Sequence, residues 1–342
     1  MARSVCIIGA GLGGLTLARC LKHRGIPAIV YDRSASSPRH SYGITLHEAT
    51  YRPLLSVLDL DIDTFRGSLS VDARIAGNGN IDPSHLVQPG NVTSTSFRAN
   101  RQKLELLLRD GLDVRWEHQL DRIEQMPDSI TNLFMSNGRC IEASHVIAAD
   151  GPHSRARMAL MPKVPLRILP IVAINGKRRV TRQDFDNGYL PYLRDCNVIE
   201  LRREGVILNI SLSDVTDEVV YLSWIFSRSA KPSGDALFNP DRSNAGASDI
   251  PQAFYHEISQ FRHLERPFSD VFDPEQLKQD RKLSWLMRTT DVPLVDLNTA
   301  AARGVFFIGD AVHAQPILGG EGANEAITDG VELARLIAEN GL

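Results

Sequence analysis

The chain has 342 residues, of which 43% are hydrophobic and 23% charged, a composition typical of a soluble globular protein. Its net charge of -3 gives no electrostatic reason to expect nucleic acid or an anionic membrane surface as a partner. No run of about 18 apolar residues is present, so we predict no membrane-spanning helix and expect a cytoplasmic protein.

The four cysteines, Cys6, Cys20, Cys140 and Cys196, form neither a C-x-x-C pair nor a regular framework. This pattern is typical of buried or incidental thiols in a reducing compartment. The ten histidines do not fall at ligand spacing beside the cysteines, and no metal site is predicted.

A strand–helix–strand unit is predicted at the start of the chain. Residues 4–8 form a continuous apolar run, which is typical of a buried strand. Residues 13–24 place apolar side chains on one side of a helix that ends at Gly25, and residues 27–31 form a second strand. Because a crossover of this kind is right-handed, we expect the two strands to be parallel.

Three glycines with the spacing G-x-G-x-x-G lie between the first strand and the helix. Gly9 permits a tight turn, Gly11 lets a pyrophosphate approach the backbone, and Gly14 lets the helix pack closely on the strand. Asp32 follows 18 positions after Gly14, as expected for an acid that binds ribose hydroxyls, and Arg33 comes next. The pattern predicts a dinucleotide site without separating NAD from FAD, and it leaves open a tight turn without a ligand.

The remaining elements are predicted from hydrophobic period and turn residues. In the first half of the chain we predict strands over residues 42–46, 113–116, 130–136 and 140–149, and helices over residues 54–60 and 101–109. In the second half we predict strands over residues 198–201, 206–212, 219–226 and 305–309, and helices over residues 251–262, 273–282 and 325–339.

A second motif follows the strand that ends near residue 149. Asp150 and Gly151 are typical of a turn, but Ser154 and Arg157 then place a hydroxyl and a guanidinium about one helical turn apart on the same face. This face is suited to a hydroxylated or phosphorylated cofactor, and an ordinary turn is the alternative.

A third motif, Gly309-Asp310, ends the apolar run over residues 305–309. A carboxylate at the end of a buried strand can accept hydrogen bonds from sugar-like hydroxyls, and the cap of a following turn is the alternative. Residues 319–322 then open the last predicted helix. The first N–H groups of that helix can stabilise negative charge, such as the charge on the edge of a reduced flavin.

Together these segments resemble the single-component FAD-dependent monooxygenases, the class of p-hydroxybenzoate hydroxylase and salicylate hydroxylase. That family has a G-x-G-x-x-G turn, then D-G-x-x-S-x-V-R, and then G-D-A-x-H-x-x-x-P-x-x-G-Q-G-x-N. The resemblance covers nearly the whole chain and keeps the order of the motifs. The residues that match the second and third patterns are Asp150, Gly151, Ser154, Arg157, Gly309, Asp310, Ala311, His313, Pro316, Gly319 or Gly320, Gly322 and Asn324.

The resemblance implies an α/β fold like that of p-hydroxybenzoate hydroxylase, in which a Rossmann-like FAD-binding domain carries a second, β-rich substrate domain. We predict that the FAD-binding domain is discontinuous and takes residues 1–66, 98–162 and 283–342. The substrate domain is predicted over residues 67–97 and 163–282.

The resemblance also implies where FAD is held. The glycines of the first motif and Arg101 would reach the pyrophosphate, Asp32 the adenosine ribose, and Asp310 the ribityl or phosphate-linked portion. The flavin ring would lie beside Gly43 and Ile44. The predicted cofactor-binding residues are Gly9, Gly11, Gly14, Asp32, Arg33, Gly43, Ile44, Arg101, Asp150, Arg157, Gly309, Asp310, Gly320, Gly322, Ala323 and Asn324. The residues predicted at the reaction site are Pro316, Gly319, Gly320 and His47.

The activity that the resemblance implies is the insertion of one oxygen atom from O₂ into an aromatic or polycyclic small molecule. In the family, NAD(P)H reduces FAD, and a hydroperoxide at the flavin C4a carbon transfers the oxygen. The substrate, the choice between NADH and NADPH, the oligomeric state and the choice among hydroxylation, epoxidation and Baeyer–Villiger insertion stay open. The alternatives are a flavin oxidase or dehydrogenase on the same scaffold and a non-catalytic nucleotide-binding fold that recognises a partner.

Two positions depart from the family pattern, because Ala156 stands where the family has valine and Glu321 stands where it has glutamine. A carboxylate at a helix N-terminus is stabilised by the helix dipole. Beside an anionic reduced flavin the same carboxylate would repel, so we hypothesise that Glu321 lowers the reduction potential of the flavin.

Overall fold

The computed structural model describes residues 4–36, 41–72, 95–126, 130–193, 196–316 and 320–341. The strands, in chain order, are β1 (Val5–Ile8), β2 (Ala28–Tyr31), β3 (Gly43–Leu46), β4 (Phe97–Asn100), β5 (Val114–Arg115), β6 (Leu120–Gln125), β7 (Thr131–Met135), β8 (Cys140–Ala143), β9 (Val146–Ala148), β10 (Arg167–Thr181), β11 (Val198–Arg203), β12 (Val206–Val215), β13 (Val219–Ser229), β14 (Arg281–Thr289) and β15 (Val305–Phe307). The helices are α1 (Leu12–His23), α2 (Glu48–Leu58), α3 (Ile62–Leu69), α4 (Arg101–Arg109), α5 (Arg155–Leu160), α6 (Arg182–Gly188), α7 (Leu190–Leu193), α8 (Gln252–Ser259), α9 (Phe268–Val271), α10 (Pro274–Gln279), α11 (Leu294–Ala301), α12 (Asp310–His313) and α13 (Gly322–Asn340). In these ranges no helix combines the length and the apolar composition that crossing a bilayer requires.

A five-stranded parallel sheet, in the order β15-β9-β1-β2-β5, joins the two ends of the chain. Strands of a parallel sheet are buried on both faces, which explains the continuous apolar run of β1. Val5 and Ile7 pack on the side of α1, α2, α4 and α13, whereas Cys6 and Ile8 pack on the side of β6, β7 and β8. The parallel pairing predicted for the first two strands is confirmed.

A second sheet of five antiparallel strands, in the order β11-β12-β13-β10-β14, confirms the β-rich second part of the predicted fold. One face of this sheet is apolar and is covered by the helices from α6 to α10. There the rings of Trp224 and Phe226 pack on Phe254, at centroid distances of 6.2 Å and 5.5 Å. This face forms a core separate from that of the parallel sheet.

The opposite face of the antiparallel sheet is polar and meets the parallel-sheet part of the molecule. Successive side chains of a strand point to opposite faces, so the register places Asn175, Ser211 and Ser223 together on this face. Arg98 of β4 donates from Nη2 to the Ser211 hydroxyl at 3.2 Å. Small polar side chains therefore line the side of the sheet that faces the predicted cofactor domain.

The strands β10 and β14 are not predicted by the sequence pattern. In β10 the buried positions Val172 and Ile174 are followed on the same face by Gly176 and Arg178, so the apolar alternation stops halfway. Arg178 is tolerated on this face because its guanidinium lies 2.8 Å from the buried carboxylate of Asp280. A charged residue held in such a pair interrupts the apolar alternation by which a strand is recognised in the sequence, although the strand still forms.

Other predicted boundaries move in the structure. Residues 140–149 form two strands, β8 and β9, which belong to different sheets. The helix predicted over residues 273–282 ends earlier, as α10, and its last positions begin β14. The predicted domain boundary at residue 283 therefore lies inside β14, and the boundary at residue 67 lies inside α3. The division into two domains at those residues stays a prediction.

Helices α1 and α13 touch through glycine. A Cβ atom on Gly330 would lie 2.8 Å from the carbonyl oxygen of Gly13 and 3.0 Å from the backbone nitrogen of Leu17. A Cβ atom on Gly13 would lie 3.0 Å from the carbonyl oxygen of Ala326. Gly13 contacts Ala326, and Leu17, four residues later, contacts Gly330, which is four residues after Ala326. The two helices therefore run parallel. Their N-termini therefore lie on the same side of the molecule.

We expect Gly330→Ala to lower the free energy of unfolding by about 1–3 kcal/mol, because the added methyl group overlaps backbone atoms of α1. The matched control is Gly67→Ala in α3, where a Cβ atom would meet no atom within 4 Å. Alanine has less backbone entropy to lose there, so this change is expected to raise the free energy of unfolding by ~0.5–1 kcal/mol. Urea denaturation measures both, and two equally stable variants would contradict a close contact between α1 and α13.

Candidate functional site

Four strand ends meet at the carboxyl edge of the parallel sheet. β1 is followed by the glycine turn, β2 by Asp32, β9 by Asp150, and β15 by the Gly309-Asp310 motif. In open α/β sheets ligands bind outside this edge. The structure therefore brings together the three predicted motifs, which lie far apart along the chain.

The three glycines of the first motif differ in what surrounds them. A Cβ atom on Gly9, which has a φ of +111°, would lie 2.2 Å from the carbonyl oxygen of Ala149. A Cβ atom on Gly14 would lie 2.0 Å from the carbonyl oxygen of Gly9. On Gly11, by contrast, it would meet no atom within 4 Å. Packing thus requires glycine at positions 9 and 14, whereas Gly11 borders open space beside the first N–H groups of α1.

Asp32 joins the end of β2 to the glycine turn. Its Oδ2 accepts the N–H of Ala10 at 2.8 Å, and its Oδ1 accepts the N–H of Ser34 at 2.9 Å. An ionised carboxylate can accept about four hydrogen bonds, so these contacts are compatible with a ribose hydroxyl as a further donor. Arg33 is exposed at this strand end. Burial lowers the pKa of His153, and the charge of Arg33 adds to that shift.

Asp150 closes the turn that leads into α5. Its Oδ2 accepts the N–H of Arg155 at 2.7 Å, and the hydroxyl of Ser154 accepts the N–H of Arg157 at 3.0 Å. The other oxygen, Oδ1, is buried and has no hydrogen-bond partner in the described part of the chain. Burial raises the pKa of Asp150, and hydrogen bonds from Ser154 and Arg155 oppose that shift. A buried carboxylate oxygen without a donor is suited to a ligand hydroxyl.

Arg157 connects the second motif with the third. Its side chain is 1% exposed and donates to the carbonyl oxygens of Ala311 at 2.7 Å and Pro152 at 2.6 Å. Burial lowers the pKa of Arg157, and the charge of Asp150 opposes that shift. Arg157 therefore holds two loops of the site together through their backbones. A direct contact between Arg157 and a cofactor stays a prediction.

Asp310 faces the N-terminus of α13. Its Oδ1 lies 3.8 Å from the place that a Cβ atom on Gly322 would take. Within the described ranges, no side chain or backbone N–H donates to this carboxylate. Burial raises the pKa of Asp310, while the charges of His313 and Arg101 oppose that shift. The carboxylate is thus held beside a helix N-terminus in a position to accept hydrogen bonds from a ligand.

Arg101 begins α4, as the predicted helix over residues 101–109 requires. Its guanidinium forms an ion pair with Glu105 at 2.6 Å and lies 5.5 Å from the ring centroid of Tyr42. The same charge acts on the carboxyl of Asp310, so the arginine lies near the third motif. Sequence reasoning did not identify Tyr42 or Glu105 as neighbours of this site.

Asp329 holds the glycine of the third motif. Its Oδ2 accepts the N–H of Gly309 at 2.7 Å and lies 2.7 Å from Nε2 of His313. The hydrogen bond with Asp329 raises the pKa of His313, and burial opposes that shift. Sequence reasoning missed Asp329, although Glu325 and Asp329 are four positions apart and so present two carboxylates on one face of the last helix.

The N-terminus of α13 is open at the same edge of the sheet. Glu321 is its N-cap residue, but the Glu321 side chain makes no capping hydrogen bond. In the described part of the chain the N–H groups of Gly322, Ala323 and Asn324 have no acceptor. Together with the helix dipole, such groups favour a negatively charged or electron-rich ligand.

Asn324 ties α13 to β3. Its Oδ1 accepts the N–H of His47 at 3.0 Å, and its Nδ2 donates to the carbonyl oxygen of Thr45 at 3.0 Å. The residue is 4% exposed. Because both ends of its amide are used within the protein, the side chain positions β3 against the helix. A cofactor contact from its backbone stays a prediction.

Among the predicted reaction-site residues, His47 has both ring nitrogens within hydrogen-bond distance of described side chains. Its Nε2 lies 3.1 Å from Oε1 of Glu321, and its Nδ1 lies 2.9 Å from the hydroxyl of Ser96. Gly320, next to Glu321, has a φ of +73° and follows the part of the loop that the structure does not describe. Pro316 lies on the other side of that gap, and the predicted residue Gly319 lies outside the described residues.

Gly43 lies where β3 meets the antiparallel sheet. A Cβ atom on Gly43 would lie 2.6 Å from Nε of Arg98 and 2.6 Å from the carbonyl oxygen of Leu212. Glycine is therefore required by the close approach of β12, and the side chain of Ile44 is buried in the core on the opposite face. Backbone contacts of Gly43 and Ile44 with the flavin stay a prediction.

Arg98 was missed by sequence reasoning. Its Nη1 donates to the hydroxyl of Thr45 at 3.3 Å, and its Nη2 to that of Ser211 at 3.2 Å. Burial lowers the pKa of Arg98 to about 10. Among the described residues no carboxylate forms an ion pair with it. One signal was present, since Arg98 is a charged residue between the apolar residues Phe97 and Ala99.

The donor set of this edge fits a dinucleotide. Backbone N–H groups at the N-termini of α1 and α13 suit phosphates and an electron-rich ring, because both dipoles present their positive ends there. The carboxylates of Asp32, Asp150 and Asp310 suit hydroxyl groups. A ligand that contacts both helix ends and the three carboxylates needs several linked parts.

Comparison with known proteins agrees with this geometry. A model of the family described as FAD binding domain matches residues 2–168 and 297–340. The FAD-dependent monooxygenase adaC of Aspergillus niger is 36% identical over 98% of this chain and 85% of its own length. The FAD-dependent monooxygenase vrtH of Penicillium aethiopicum is 34% identical over 97% of this chain and 83% of its own length. The structure of 2,6-dihydroxypyridine-3-hydroxylase from Arthrobacter nicotinovorans superposes with a TM-score of 0.72 at 18% identity, over 99% of this chain and 85% of that chain.

We expect Gly11→Ala to leave the fold stable and to weaken FAD binding about tenfold or more, which corresponds to ~1.4 kcal/mol. The added methyl group enters the open space beside the first N–H groups of α1. Gly14→Ala is the contrast, since its Cβ atom would lie 2.0 Å from the carbonyl oxygen of Gly9 and should destabilise the apoprotein itself. Fluorescence titration with FAD and thermal unfolding separate the two effects. If Gly11→Ala binds FAD as tightly as the wild type, the pyrophosphate does not lie at this turn.

We expect Asp329→Asn to remove a pH dependence of stability. A histidine with a raised folded pKa stabilises the protein fully below its unfolded value of about 6.5, and this stabilisation is lost as the pH rises through the folded pKa. The wild type should therefore exceed the variant in free energy of unfolding by more at about pH 5.5 than at about pH 8.5. Urea denaturation at both pH values measures this difference, and a constant difference would contradict the role of His313.

Proposed function

This chain belongs to the family of FAD-dependent monooxygenases, and we propose that it inserts one oxygen atom from O₂ into an aromatic or polycyclic small molecule with NAD(P)H as the reductant. FAD is its cofactor, and the enzyme is a monooxygenase. The substrate class, the reductant and the roles of individual residues are the proposal.

The observation that carries this proposal is the parallel arrangement of α1 and α13. Two helix N-termini with free N–H groups open on the same side, one beside Gly11 and the other beside Gly322. We propose that the first holds the pyrophosphate of FAD and the second holds the pyrimidine edge of the flavin ring. When bound, FAD supplies the electron transfer and the activation of O₂.

The carboxylates at the sheet edge are proposed to orient the linked parts of FAD. Asp32 lies at the end of β2, where an adenosine ribose would meet it, and Asp310 lies beside the N-terminus of α13. Both are buried or half-buried, so their hydrogen bonds to hydroxyl groups are protected from competing water. Arg157 and Asn324 hold the loops that carry these groups and act as positioning residues.

The substrate is proposed to lie on the polar face of the antiparallel sheet. Ser211, Ser223 and Asn175 share this face, and the buried Asn175 Oδ1 atom has no hydrogen-bond partner among the residues that the structure describes. Arg98 adds a half-buried positive charge at the same junction. These groups suit a flat molecule with several hydroxyl or carbonyl oxygens, one of which carries partial or full negative charge. The solved relative 2,6-dihydroxypyridine-3-hydroxylase has a name that describes such a substrate.

The reductant is proposed to visit the flavin transiently. A single G-x-G-x-x-G fingerprint is present in the sequence, and it is assigned to FAD. NAD(P)H then has no Rossmann unit of its own, so its nicotinamide must approach from the open side of the site. The choice between NADH and NADPH is left to measurement.

We expect the purified yellow protein to consume NAD(P)H fastest with hydroxylated polycyclic or monocyclic aromatics, and the product to carry one atom of isotopically labelled O₂. A panel of such compounds, followed by mass spectrometry of the products, measures both. The control omits the aromatic compound, and any NAD(P)H that is consumed there should produce hydrogen peroxide. Stoichiometric peroxide with an unlabelled product for every compound would favour the flavin oxidase instead.

A further inference from the structure

Three side chains form a continuous hydrogen-bonded line at the open end of α13. The hydroxyl of Ser96 lies 2.9 Å from Nδ1 of His47, and Nε2 of His47 lies 3.1 Å from Oε1 of Glu321. The His47 and Glu321 side chains are 38% and 47% exposed, whereas Ser96 is 8% exposed. The line therefore runs from a buried hydroxyl to a carboxylate in contact with water.

The line is built from three separate parts of the chain. His47 follows β3 as the N-cap residue of α2, and its own N–H donates to the buried amide of Asn324 at 3.0 Å. Ser96 comes directly before β4, which pairs with β3. Glu321 is the N-cap residue of α13, yet its carboxylate is turned to His47 and does not cap its own helix. Both ring nitrogens of His47 are thus held, so the orientation of the imidazole is defined.

The other charged groups around His47 contact residues other than His47, so Glu321 is its charged partner. On α2, Glu48 is ion-paired with Arg52. On β4, the Arg98 guanidinium is turned to the hydroxyls of Thr45 and Ser211. On α13, Glu325 lies beside His313 and Gln315. In the described part of the chain, Glu321 is the carboxylate whose hydrogen bond reaches the imidazole of His47.

We propose that His47, held between Ser96 and Glu321, is a proton site linked to the redox state of the flavin. The proposal rests on the proposed function, which puts the flavin ring at the N-terminus of α13. Two electrons from the reductant make the bound flavin more negative, and an N–H bond then forms between a proton from water and Nδ1 of His47. The hydroxyl of Ser96 turns from donor to acceptor, and Glu321 stabilises the imidazolium at Nε2. On reoxidation the N–H bond breaks and the proton returns to water.

The physical basis is linkage between two binding events. A negative charge that appears near the imidazole makes the imidazole bind a proton more tightly, and by reciprocity the bound proton raises the reduction potential of the flavin by the same free energy. The Glu321 carboxylate is then neutralised within the pair. Its repulsion of the reduced flavin is therefore confined to the pH range in which His47 is neutral. The hypothesis that Glu321 lowers the reduction potential of the flavin then applies only in that pH range.

The test is the midpoint potential of FAD bound to the full chain, measured by equilibration with redox dyes from about pH 5 to about pH 9. One additional proton per two electrons makes the plot of potential against pH steeper by about 30 mV per pH unit. We expect such a steep segment in the wild type. In Glu321→Gln, which keeps a hydrogen bond but not the charge, the segment should move to lower pH. In His47→Gln it should disappear.

The control is Glu48→Gln, which removes a neighbouring half-buried carboxylate that contacts Arg52, and which should leave the plot unchanged. A wild-type plot without the steep segment overturns the proposal, whatever the variants do. A steep segment that persists in His47→Gln belongs to the flavin itself and also overturns it. Failure of the wild type to bind FAD would instead contradict the proposed function, so the two failures are distinguishable.

Discussion

The close contact between α1 and α13 is the constraint on which the rest of this site depends. Glycine at positions 13 and 330 lets two helix backbones approach without side chains between them. Each helix follows a strand of the parallel sheet, α1 after β1 and α13 after β15, so the contact also fixes the two ends of the chain to one another. Side-chain volume at either glycine would separate the two N-termini, and a single cofactor could no longer reach both.

Polar side chains extend this contact to the loops around it. Asn324 spans from α13 to the end of β3, Asp329 spans from α13 to the third motif, and Arg157 spans from that motif to the second. The polar atoms of each of these side chains form hydrogen bonds with the backbone of another segment. The loops at the sheet edge are therefore positioned by buried or half-buried side chains that a ligand need not touch. The residues that hold the site are thus distinct from those proposed to face the cofactor.

The sequence predicts the motifs better than it predicts their surroundings. Gly9, Gly14 and the helix over residues 101–109 follow from local rules of turns and amphipathic periods, and the structure agrees with them. The strand β10 and the neighbours of His47 do not follow from local rules. Arg178 is buried only because Asp280 reaches it from a distant position, and Ser96 meets His47 only because β4 pairs with β3. Interactions between segments that are far apart leave no periodic signal in either segment.

The distribution of charge at the sheet edge indicates how a negatively charged cofactor is accommodated. Asp32, Asp150 and Asp310 all lie there, whereas Arg101 is paired with Glu105 and Arg157 donates to backbone carbonyl oxygens. Side-chain cations therefore contribute little net positive charge, and the helix dipoles of α1 and α13 must supply the compensation. Since a dipole acts only within about one turn of its helix end, the sites proposed for the phosphates and for the electron-rich edge of the ring are directly at those two N-termini. In that arrangement the carboxylates are left to accept hydrogen bonds from the hydroxyl groups of the ligand.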